Sequence, residues 1–166
     1  MPANRGTATL DESAHTLFIS GAIDNGTTAQ AHALLQQAHS PVQRVVLNSS
    51  GGMKREGGYL ADLIRRYRLS AHAETECSGV CAIALLASEH RTATPNAQIC
   101  LMGFTSDASS AEGDGPIRTL YETAHLPDDL LAHLAGLPSD RGWCAPAEFL
   151  IERRVLHQIS IVPAKS

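Results

Sequence analysis

Residues 77–87, Cys77-Ser78-Gly79-Val80-Cys81-Ala82-Ile83-Ala84-Leu85-Leu86-Ala87, decide the reading of the fold. From Val80 to Ala87 the run is apolar on every side. It is much shorter than the about 20 residues that cross a bilayer, so it reads as a helix buried inside the protein. Just upstream, Ala71 to Glu76 alternates small or apolar with polar residues, the period of a short strand.

Working outward gives the same alternation. Thr16 to Ser20 (TLFIS) reads as a strand, Thr27 to His39 as a helix with Thr27 or Thr28 as N-cap, and Arg44 to Asn48 (RVVLN) as a buried strand. After the turn cluster Ser49-Ser50-Gly51-Gly52, Leu60, Leu63, Ile64 and Tyr67 recur at helical spacing within a helix over 58–68. Downstream, 91–93 and 98–102 read as short strands around Pro95-Asn96. Residues 117–124, 127–135 and 146–153 read as helices, and 155–162 as a closing strand. Gly103 to Pro116 is rich in Gly, Ser and Asp and reads as a mobile loop. The reading is a flexible lead-in over 1–13 and a single domain over 14–162, of α/β class with largely parallel pairing.

Composition narrows the function classes. The chain has 166 residues and a formal charge of −4, with no basic stripe interleaved with aromatics, so a nucleic-acid surface is not expected. No apolar run is long enough to span a membrane, and residues 1–13 carry no apolar signal-peptide core. The cytoplasm is the expected compartment, with the periplasm as the alternative if a signal peptide has been removed. The four cysteines, Cys77, Cys81, Cys100 and Cys144, read as buried small residues in a reducing compartment, in preference to a zinc site or disulfides. No histidine pair has ligand spacing, and neither metal nor cofactor is expected.

The order LFISGAID (17–24), helix, VVLNSSGG (45–52), helix, CSGVCAIALLA (77–87), Arg91-x3-Pro95 and a strand ending in Met102 resembles the Clp protease proteolytic subunit and its small Clp-like relatives. The resemblance covers about residues 16–160. It implies a Clp/crotonase-type spiral of ββα units, assembled into trimeric, hexameric or heptameric rings. It also implies amide hydrolysis by a Ser-His-Asp triad, in which an imidazole takes the serine proton and a carboxylate orients the imidazole.

Carried over by position, the nucleophile falls on Gly79 and the general base on Met102, and neither side chain can do that work. Asp140 is the candidate third member. The oxyanion donors are expected at Gly51, Gly52 and the amide of Val80. The implied function is a catalytically inactive, homo-oligomeric scaffold that binds a peptide or protein partner. Three further readings stand beside it. Ser78 would be the nucleophile of an active hydrolase, Lys54 would be the base of a Ser-Lys dyad, and His125 would swing in as a substitute base. A crotonase-type acyl-thioester binder is a separate class, weakened by the lack of a basic cluster for the coenzyme's phosphates.

Overall fold

Val45, Val46 and Leu47 are buried on both faces of β3 (Arg44–Ser49), as a central parallel strand requires. The computed structural model describes residues 6–104, 114–138 and 142–158. On one side β3 pairs in parallel with β2 (Thr16–Ser20), which pairs antiparallel with β1 (Thr7–Asp11). On the other it pairs in parallel with β4 (Ser70–Ser78). β4 then changes partner along its length. Its first half (Ala71–Ala73) pairs with β5 (Arg91–Ala93), and its last three residues (Glu76–Ser78) pair with β6 (Gln98–Met102). β7 (Gly142–Pro146) lies antiparallel on β6, and β8 (His157–Gln158) pairs in parallel with β5.

The change of partner has a local cause. The β3–β4 register shifts between Leu47↔Ala73 and Ser49↔Cys77. Asn48 fills the irregularity: its side-chain oxygen accepts the Glu76 N–H (3.3 Å) and its carbonyl accepts the Gly21 N–H (3.0 Å). The bulge re-aims the end of β4, a common device beside functional sites.

The helices are α1 (Thr27–Gln37), α2 (Lys54–Arg66), α3 (Val80–Leu86), α4 (Asp114–Thr123), α5 (Asp128–Ala135) and α6 (Ala147–Glu152). Every residue of α3 is buried, as its all-round apolar sequence predicts. α2 buries Leu60, Ala61, Leu63 and Ile64 and leans on α3 at Gly57, where a Cβ would stand 2.6 Å from the Val80 Cβ. This contact explains why glycine is kept inside a helix at a cost of about 1 kcal/mol against alanine.

A buried arginine closes the far end of α3. Arg91 Nε donates to the Val155 carbonyl (3.0 Å), Nη1 to those of Leu86 (3.1 Å) and Ser88 (3.3 Å), and Nη2 to that of Ala124 (3.0 Å). All four partners are backbone carbonyls. Burial holds the guanidinium below its ordinary pKa, and the four acceptors replace its water.

The mixed α/β class with largely parallel pairing is as the sequence implied, and several details differ. Residues 7–11, read as lead-in, form β1, whose polar alternation TATLD suits a strand packed on one face only. The N-cap of α1 is Gly26, in the left-handed region, and neither Thr27 nor Thr28. The Thr28 N–H is instead met by the buried Glu56 carboxylate (3.2 Å). α2 begins at Lys54, four residues before its apolar stripe becomes visible. Of the expected loop over 103–116, Gly103 and Phe104 are buried, and Asp114 already starts α4. Residues 105–113 lie outside the described residues, as does the expected closing strand beyond residue 158.

The cysteine reading is corrected. Cys77 is disulfide-bonded to Cys81, and Cys100 to Cys144. The first pair joins the end of β4 to the first turn of α3, and the second links partners directly opposite in the β6–β7 ladder. The second could not be foreseen, because residues 142–146 (GWCAP) carry no strand period.

Candidate functional site

The site lies where β4 ends and α3 begins. Gly79 joins them with φ 61° and ψ −119°, a backbone conformation open to glycine and strained for other residues. Its N–H donates to the Cys100 carbonyl (3.0 Å), which holds the turn against β6. A Cβ on Gly79 would meet only the Gly51 Cα, at 3.9 Å, so there is room for a side chain. Strand-to-helix elbows of this kind carry the nucleophile of many hydrolases, exposed on a strained residue. Here the residue at the elbow is a glycine, which carries no side chain.

The turn 49–52 stands next to it. Ser49 pairs with Cys77 in the ladder, and a Cβ on Gly51 would lie 3.6 Å from the Ser78 carbonyl. The Gly51 N–H donates to the Ser49 hydroxyl (3.2 Å), and the Gly51 carbonyl accepts the Ile23 N–H (2.8 Å). Of the two glycine amides expected as oxyanion donors, that of Gly51 is therefore engaged. Among the described residues, no acceptor is found for the Gly52 N–H. Val80 is the first residue of α3, so its N–H has no partner within the helix. Gly52 and Val80 thus carry amides without a partner on these two turns, among the described residues.

Met102 ends β6 as the sequence indicated, two residues beyond Cys100. It is 8 % exposed, and its carbonyl accepts the Tyr121 hydroxyl at 2.6 Å. Burial raises the Tyr121 pKa, so the phenol stays protonated and acts as a fixed donor. A thioether at this position offers no proton acceptor.

The other candidates are not brought to the elbow as a working set. Ser78 is 9 % exposed, and its hydroxyl donates to Glu76 Oε1 (3.2 Å); no histidine contacts it among the described residues. His125 follows Ala124, whose carbonyl is held by Arg91 at the opposite end of α3, a helix length of about 10 Å from Gly79. His72 contacts Thr92 Oγ1 (3.0 Å), and His157 the Arg91 carbonyl (3.2 Å), both on the β5 side of the sheet. Asp140 lies outside the described residues. No cluster of His, Cys, Asp or Glu suited to a metal ion occurs among the described residues.

A groove of about 840 Å³ runs between α2 and α4 and reaches Ile83, one turn along α3 from Val80. Its apolar floor includes Ile83, Ile117 and Leu120, and Arg55 and Arg65 stand on its α2 side. Tyr59, more than half exposed, forms part of its rim, and Met53, the residue before α2, is also exposed. Reading residues singly had missed the groove, because its walls come from helices more than fifty residues apart. Nothing local in the sequence distinguishes Glu76 as the partner of Ser78.

No family model matches the chain, and no curated protein matches it by sequence. Solved structures do match in fold. A crystal structure of an enzyme superposes with a TM-score of 0.68 at 13 % identity, covering 92 % of this chain and 99 % of that one. An enoyl-CoA hydratase/isomerase from Marinobacter aquaeolei superposes with a TM-score of 0.61 at 14 % identity, covering 93 % of this chain and 70 % of that one. At identities this low the superpositions show the fold alone, one shared with an enoyl-CoA hydratase/isomerase, and leave function to the site.

Proposed function

We propose that this protein is catalytically silent and binds a carbonyl-bearing ligand, a peptide or protein segment, at the elbow between β4 and α3. The observation that carries this reading is Gly79. Placing a non-glycine residue in its conformation costs about 1–3 kcal/mol, a strain that an active hydrolase bears to present its nucleophile. Glycine removes both the nucleophile and the strain, while the Gly52 and Val80 amides remain as donors. Met102 at the base position fits the same loss. The apolar groove beside α3 and the exposed Met53 and Tyr59 supply surface for a partner. A homo-oligomeric ring belongs to this proposal through the resemblance to Clp subunits. The two disulfides favour maturation in an oxidising compartment, the periplasmic alternative, over the cytoplasm.

A second reading is acyl-thioester binding. Two features favour it: the likeness in fold to an enoyl-CoA hydratase/isomerase, and the cations Arg55 and Arg65 along the groove, the second of them ion-paired with Asp62 (3.1 Å). The active-hydrolase reading through Ser78 is weaker, because that hydroxyl is buried and given to Glu76.

One experiment separates the three. The native protein is treated with a fluorophosphonate probe and weighed intact. Binding of labelled peptide pools and of a medium-chain acyl-coenzyme A is then measured by anisotropy, with the Val80→Pro variant in parallel. Proline is tolerated at the first position of a helix and deletes one donor. The expected result is no adduct, measurable peptide binding, and about tenfold weaker binding by the variant, the worth of one hydrogen bond. An adduct on Ser78 or turnover of peptide overturns silence, and binding of the thioester alone transfers the site to the second reading.

A further inference from the structure

The two disulfides differ in the one property that decides thiol exchange, access. Cys77 and Cys81 are fully buried between β4 and α3, so an external thiolate cannot reach either sulfur in the native fold. Cys144 is exposed and Cys100 half-buried, on the pair β6–β7. Gln98 Nε2 lies 3.9 Å from Cys100 Sγ, a donor placed to meet negative charge developing on that sulfur.

We infer that Cys144 is a site of S-thiolation, at which a low-molecular-weight thiol such as glutathione opens the Cys100–Cys144 disulfide while Cys77–Cys81 stays closed. The thiolate attacks Cys144 Sγ, forming a mixed disulfide there. The Cys100–Cys144 bond breaks, its electron pair leaves on Cys100 Sγ, and water protonates the thiolate. A second thiol attacking the outer sulfur of the adduct releases the oxidised dimer of the reagent and leaves two protein thiols, a two-electron reduction in all. The chemistry is local, and its effect reaches the elbow. The Cys100 carbonyl holds the Gly79 N–H, so the strand that fixes Gly79 loses its covalent tie to β7 and keeps only the backbone ladder.

The chain carries its own reporter. Its single tryptophan, Trp143, precedes Cys144 and packs edge-on against His133 and Phe149. The native protein is exposed to graded glutathione, quenched with acid at intervals and mapped by mass spectrometry, with Trp143 emission followed in parallel. The expected first product carries glutathione on Cys144, a free thiol on Cys100 and an intact Cys77–Cys81 bond. It should form about tenfold or more faster than Cys77–Cys81 opens, since access governs the rate. The emission change should follow the same time course and vanish in the Cys100→Ser/Cys144→Ser variant. Opening of Cys77–Cys81 first or together with the other bond, an adduct on Cys100 instead, or four free thiols in the purified protein overturns the inference. Should the double variant not fold, the mapping on native protein still decides.

Discussion

Replacing Gly79 by alanine and by serine isolates the property on which the functional reading turns. A Cβ at this position has no neighbour closer than 3.9 Å, so the added methyl of alanine meets no steric clash. What remains is the backbone cost of holding a non-glycine residue at φ 61° and ψ −119°, about 1–3 kcal/mol. For a chain of 166 residues, that corresponds to a melting temperature lower by about 2–12 °C. Alanine and serine should lose nearly the same amount, since the penalty lies in the backbone and not in the hydroxyl. The assay is equilibrium urea unfolding followed through Trp143 emission, with both disulfides kept intact. Neutral substitutions would show that the elbow is not strained and that glycine is there by chance. A loss above about 4 kcal/mol would show that the space is not open, a size of effect that requires a clash or a lost core contact. Either result removes the argument that this residue marks a vacated nucleophile position.

Arg91→Met should destabilise the fold by about 3–5 kcal/mol, because it strips four buried carbonyls of their common donor, and Arg91→Lys should fall between that variant and the native protein. Chemical denaturation checks both, and a loss below about 1 kcal/mol for methionine would refute the role given to the guanidinium. His72 sets a pH dependence. Burial, with Arg44 nearby, holds its folded pKa below the ordinary 6.5. The unfolded chain therefore takes up the proton first as pH falls, and the stability present above pH 6.5 is lost progressively below it. Stability measured against pH should be flatter in this acidic range for His72→Gln, and an unchanged slope would exclude His72 as the source.

The parts of the fold legible in the sequence are those whose burial is complete. Val45 to Leu47 and VCAIALLA are apolar throughout because the middle of β3 and all of α3 are covered on every side, and their order along the chain fixes the α/β class. The turn at Gly79 and the strand end at Met102 are legible through the resemblance in motif order. Features that depend on distant segments were not legible. β1 is a polar ribbon defined by its pairing with β2. β7 becomes a strand only because β6 offers an edge, so the Cys100–Cys144 bond has no local signature. The Thr28 N–H in the first turn of α1 is met by Glu56 from another helix, which local N-cap preferences cannot foresee. The division of labour between the Gly51 and Gly52 amides likewise depends on the Ser49 hydroxyl and on the approach of Ile23.

The guanidinium of Arg91 also bears on how the molecule opens. One side chain binds carbonyls at the end of α3, after α4 and at Val155, the last of these 64 residues from Arg91 in the chain. Terminal strands as short as β8 ordinarily fray, and their amides exchange with solvent through small local openings. Here, detaching residues 155–158 uncovers a buried cation and undoes the seam between two helices at once. Hydrogen exchange in β8 and at the end of α4 should therefore share one opening free energy with α3, making the far end of the sheet a single cooperative unit.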